Sequence, residues 1–150
     1  NILKLLQNYR SAFMQLGMNK YQKLRNKRKD SFTTDDDLER FKHEALEPLN
    51  LMEDLMPENV IPISSDEMKL QMGQIYHDSG DVERGKEILQ QFHNSNRPDI
   101  VAYLLQTYTE NGYNTEAVDV LEKWTLKFPA DTNAISLLRQ YRARSESSDS

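Results

Sequence analysis

The feature that most constrains this chain is a self-similarity at a spacing of 32 residues. Tyr76 and Tyr108, Gly80 and Gly112, Gly85 and Ala117, Leu89 and Leu121, and Phe92 and Trp124 all pair at that interval. A period of this size, with a glycine in the middle and helical apolar spacing on either side, is the pattern of stacked helical hairpins. A glycine relieves the tight turn between helices, where φ is often positive. A small residue four or five positions later lets the two helices approach at their crossing. The aromatic near the end of the second helix is placed to fill the space beside the next element.

The rest of the chain reads as helix too. Ile2, Leu5, Leu6, Tyr9, Ala12, Phe13 and Leu16, continued by Tyr21 and Leu24, predict one apolar stripe on a helix over 1–29. Thr34 followed by Asp35, Asp36 and Asp37 reads as an N-cap and an acidic first turn. The second helix then carries Leu38, Phe41, Ala45, Leu49, Met52 and Leu55, with Pro48 expected to kink or split it. Ser64-x-x-Glu67 reads as a capping box for a third helix. Pro98 suits the first position of a fifth. A final helix is expected from about Thr132, and the polar stretch 145–150 is expected to be disordered. Seven helices and no strand make the predicted class all-α.

These positions resemble the tetratricopeptide repeat (TPR) family. Gly73, Tyr76, Gly80, Gly85, Leu89 and Phe92 match one copy; Tyr108, Gly112, Ala117, Leu121, Trp124 and Pro129 match the next, with Leu105 in place of the early small residue. Ala45, Leu49, Met52 and Pro57 reproduce the second-helix pattern of a degenerate upstream copy. The resemblance implies a single helical-hairpin solenoid over 1–144: a degenerate repeat at 1–63, clear repeats at 64–97 and 98–130, and a cap helix at 131–144. It also implies a concave groove lined by Leu70, Gln74, His77, Asp78, Ala102, Gln106, Thr109 and Glu110, with Gln140 and Arg144 from the cap helix, holding a protein or peptide. The family's lysine and asparagine clamp for a C-terminal carboxylate does not occur at these positions.

A narrower likeness lies in Asn8-Tyr9-Arg10-Ser11-Ala12-Phe13, Met52-Glu53-Asp54-Leu55-Met56-Pro57 and Val60-Ile61-Pro62. This set is similar to the soluble C-terminal region of bacterial membrane proteins whose N-terminal halves resemble protein O-mannosyltransferases. It implies an extracytoplasmic tail, preceded by a transmembrane region, with any transferase chemistry outside this chain. The opening on a helical pattern at Asn1 fits a piece of a longer protein.

No residue set asks for catalysis. Without cysteine there is no thiol nucleophile, Cys-ligated zinc or disulfide. His43, His77 and His93 form no helix-borne zinc pair. Asp35–Asp37 lack the alternating ligands of a calcium loop. The expectation is therefore a non-enzymatic interaction module needing no metal or cofactor. The alternative is a candidate anion patch, Lys20, Lys23, Arg25, Lys27, Arg28 and Lys29, binding nucleic acid or an anionic membrane surface. The net charge of −5 argues against nucleic acid across the whole surface.

Overall fold

A computed structural model describes residues 1–148. Seven α-helices occur among them: α1 (Ile2–Arg28), α2 (Asp35–Leu55), α3 (Asp66–Asp78), α4 (Val82–Gln90), α5 (Pro98–Asn111), α6 (Asn114–Lys127) and α7 (Thr132–Ser148). No strand is present among the described residues. The chain divides into two compact units, Asn1–Leu89 and the residues from Gln90 onward.

In the first unit α1 and α2 form an antiparallel hairpin. The direction follows from the pairs that meet: Arg10 with Met56, Gly17 with Leu49, and Lys23 with Phe41. Thr34 caps α2 as expected, its Oγ1 accepting from the Asp37 N–H at 3.1 Å. Pro48 does not split α2; the helix runs unbroken through it, and the ring is buried in the hairpin. The cap of α3 is Ser65 and not Ser64: its Oγ accepts from Met68 N–H at 3.1 Å, and Asp66 is the first helical residue. The core joins Met14, Tyr21 and Leu24 of α1 to Phe41, Ala45, Leu49 and Met52 of α2 and Met72, Ile75 and Tyr76 of α3.

The inward face of α1 differs from the expected stripe. Ile2, Leu5, Tyr9, Ala12 and Leu16 are exposed, and the buried line runs Arg10, Met14, Gly17, Tyr21, Leu24. Two residues set this rotation. A Cβ on Gly17 would stand 2.3 Å from Leu49 Cδ1, so the Leu49 side chain of α2 packs directly on this glycine. Arg10, 3% exposed, donates through Nη1 to the Pro62 carbonyl at 3.1 Å and through Nη2 to those of Met56 at 2.9 Å and Ile61 at 2.5 Å. A guanidinium buried this deeply is tolerated because three carbonyls satisfy its Nη atoms, although its buried Nε finds no partner among the described residues. Similarly, Leu55 points outward and Met56 takes the buried position at the end of α2.

The repeated turn is the same structure twice. Gly80 has φ 108° and Gly112 φ 72°, both left-handed. After each, the backbone N–H closes on the tyrosine five residues earlier: Asp81 to Tyr76 O at 2.9 Å, Tyr113 to Tyr108 O at 2.8 Å. This six-to-one bond is the Schellman closure, which satisfies a helix-end carbonyl. Gly85 and Ala117 then sit buried on the second helix, and Leu89 and Leu121 are each 1% exposed.

In the second unit α5 and α6 form the hairpin, and α7 lies against α6. Tyr141 of α7 also reaches α5, sharing a hydrogen bond with the Thr109 hydroxyl. Ala134, Leu138 and Tyr141 are the buried stripe of α7. Residues 145–148, expected to be disordered, continue α7 as helix; residues 149–150 lie outside the described residues.

Candidate functional site

The residues carried over as a groove fall into two environments. In the first unit Leu70 is buried at 7% exposure. Asp78 is taken up by α1: its carboxylate accepts from the Tyr21 hydroxyl, its backbone carbonyl from Arg28, and its other carboxylate oxygen lies 2.8 Å from His77 Nδ1. Burial pushes the Asp78 carboxyl up, but the bonds from His77 and Tyr21 outweigh it and hold it below the usual range. His77 is pressed against α4, since a Cβ on Gly85 would stand 2.6 Å from its Cβ and its backbone nitrogen. Gln74 is half-buried.

In the second unit Ala102, Gln106, Thr109 and Glu110 are exposed on α5, and Gln140 and Arg144 on α7. Gln106 lies four residues beyond Ala102, and Thr109 and Glu110 lie three and four beyond Gln106, which puts them on one side of the helix. Gln106 Nε2 donates to Glu110 Oε1 at 3.1 Å, and Thr109 Oγ1 donates to Leu105 O at 2.6 Å. Arg144 lies over the Tyr141 ring at 5.0 Å. This is a mixed polar surface framed by a tyrosine.

The basic cluster is distributed around the end of α1. Arg28 serves as a cap for α3 through the Asp78 carbonyl, Arg25 lies 5.9 Å from the Tyr21 ring centroid, and Lys23 stands 5.0 Å from that of Phe41. Lys20, Lys27 and Lys29 make no ion pair with a carboxylate among the described residues.

Three buried polar clusters had no signal in the sequence. Arg10 and its carbonyls form the first. In the second, the Tyr76 hydroxyl donates to Glu53 Oε2 at 2.6 Å, and Arg84 Nη2 donates to Glu53 Oε1 at 2.7 Å. Burial, followed by the bond to the Glu53 carboxylate, drives the Tyr76 hydroxyl well above its ordinary acidity range. In the third, His93, 5% exposed, bridges Asp119 Oδ2 through Nδ1 at 2.6 Å and the Tyr108 hydroxyl through Nε2 at 2.6 Å. Lys123 completes it at 2.5 Å from Asp119 Oδ1. Burial raises the Asp119 carboxyl, yet its bonds to Lys123 and His93 prevail and lower it overall. A carboxylate, imidazole and phenol in line resemble a proton relay, but Tyr108 is 1% exposed and offers a substrate no approach. The arrangement ties the segment after α4 to α5 and α6.

Among the described residues no group of acidic, histidine or cysteine side chains is placed to hold a metal ion, and no helix is long and apolar enough to cross a membrane. No protein-family model, curated protein or solved structure matches the chain.

Proposed function

We propose that the chain is a TPR-like interaction module whose partner, a protein or peptide, lies on the polar face of α5 beside α7. The observation that carries this reading is a recurrence of packing inside each unit. A helical hairpin is followed by a helix that leans on both of its members: α3 on α1 and α2 through Asp78 and Tyr76, and α7 on α5 and α6 through Tyr141 and Arg142. Stacking of that kind leaves the first helix of each hairpin with one uncovered face, the surface such modules present to extended partners. On α5 that face is Ala102, Gln106 and Glu110. The groove positions implied on α3 are taken up within the first unit, Asp78 by α1, His77 by α4 and Leu70 by burial, so the proposed contact is centred on α5 and α7.

The O-mannosyltransferase-like resemblance extends the proposal: the module is the water-exposed part of a larger bacterial membrane protein. Sequencing the reading frame upstream of Asn1 tests that extension, and a frame without membrane-spanning segments removes it. The interaction itself is tested by affinity capture with the chain and with a Gln106→Arg, Glu110→Arg, Gln140→Ala variant. Loss of a captured protein by a variant with unchanged circular dichroism supports the surface; equal capture overturns it.

A further inference from the structure

The outward face of α1 is not explained by the packing of the first unit. Ile2 is 75% exposed, Leu5 51%, Tyr9 55% and Leu16 45%. At 3.6 residues per turn these four fall within an arc of about 60°, and Lys20, Lys23 and Lys27 continue the same line toward the C-terminal end. The result is one stripe about 38 Å long, apolar in its first half and cationic in its second. Charge along the chain is sharply divided: residues 1–29 hold eight of the 19 Lys and Arg and none of the 24 Asp and Glu. Phe32, 91% exposed, stands in the turn just beyond the cationic end.

We infer that this face of α1 docks on an anionic lipid surface, the helix lying in the plane of the interface. Three features select that occupant. A helix face that is apolar at one end and cationic at the other, with no acidic residue in the helix, suits an anionic lipid surface: the exposed Ile, Leu and Tyr side chains enter the headgroup–acyl boundary and the lysines meet anionic headgroups. A nucleic acid would use the lysines but would leave the apolar half facing water. A second copy is disfavoured by charge: parallel α1 helices would set lysines side by side, and antiparallel ones would oppose the apolar half to the cationic half. Lys20 and Lys27 are half-buried and pair with no carboxylate among the described residues. The acidic first turn of α2 is partly occupied elsewhere, Asp37 lying 3.6 Å from Arg40. The inference stands apart from the proposed α5 surface.

The test is co-sedimentation of the full chain with vesicles of phosphatidylcholine and phosphatidylserine, and with vesicles of phosphatidylcholine alone. Binding to the mixed vesicles is expected, with little to the neutral ones. Replacing Lys20→Gln and Lys27→Gln together is expected to weaken it about thirty-fold, from the usual contribution of a lysine near such a surface. Leu5→Gln with Tyr9→Gln is expected to weaken it by at least about tenfold at unchanged helix content, because apolar area no longer leaves water. Failure to bind mixed vesicles overturns the inference. So does binding that survives Leu5→Gln with Tyr9→Gln, which marks a purely electrostatic site of the kind nucleic acid uses. Self-association abolished by that same pair in sedimentation velocity also overturns it, assigning the face to a second copy.

Discussion

Replacing Gly85 by alanine tests a contact in which α4 meets the backbone of α3. An exposed glycine in a helix gains about 1 kcal/mol on becoming alanine, so propensity alone predicts a more stable protein. The position forbids it. The new methyl would stand 2.6 Å from the His77 backbone nitrogen and 2.7 Å from the Gly73 carbonyl oxygen. Both are backbone atoms, so no side-chain rotation relieves the overlap. A carbon needs about 3.5 Å from such neighbours, and α4 must withdraw from α3 by most of an ångström. That movement lifts Ile88 and Leu89 off Gly73, where a Cβ would already meet them at 3.1 Å. Overpacking of this kind costs about 1–3 kcal/mol, and the propensity gain offsets only part of it. The net expectation is a loss of up to about 2 kcal/mol, or a Tm lowered by up to roughly 6 °C in a chain of this size. Urea and thermal unfolding followed by circular dichroism measure it. The mirror change, Ala117→Gly, removes a buried methyl and helix propensity together and is expected to cost about 1–2 kcal/mol. A Gly85→Ala protein more stable than the parent would refute the close crossing.

Other perturbations follow from the buried polar clusters. Arg10→Met takes the donors from three carbonyls in the α2–α3 connection and is expected to destabilise by about 2–4 kcal/mol, with faster proteolysis within 57–65 as the readout. Tyr76→Phe removes the short bond to Glu53 and is expected to cost about 1–2 kcal/mol in urea unfolding. The lowered Asp78 carboxyl contributes stability that is present above its unfolded value of about 3.9 and is lost as pH falls through its still lower folded value. Asp78→Asn is therefore expected to flatten the acid limb of stability below about pH 4; an unchanged limb would show that Asp78 adds nothing there.

The hairpins α3–α4 and α5–α6 were legible because their punctuation is local. Gly80 and Gly112 need only their own φ values to mark a turn, and Tyr76 and Tyr108 sit at fixed offsets from them. The orientation of α1 was hidden for the opposite reason. Its first half carries apolar residues around much of its circumference, including Leu3, Leu5, Leu6, Phe13 and Met14, so periodicity does not choose a face. The choice was made by Arg10 and Gly17, one charged and one without a side chain, which hydropathy scores as outward or neutral. The groove positions on α3 were misleading for a related cause: whether Asp78 faces a partner or α1 depends on Tyr21 and Arg28, some fifty residues away. On α5, Ala102, Gln106 and Glu110 are exposed, whereas Thr109 shares a hydrogen bond with Tyr141 of α7. His93 gave no warning of its role, because its partners Tyr108 and Asp119 meet it only once the hairpin closes.

Arg10 also bears on where this protein tolerates being cut. It reads the carbonyls of Met56, Ile61 and Pro62, so the shape of the link between α2 and α3 is dictated from the opening turns of the chain. Trimming the amino terminus past residue 10 would therefore do more than shorten a helix. It would leave a distant connector with its oxygens aimed at a missing cation, and any minimal version of the first unit must begin upstream of that residue.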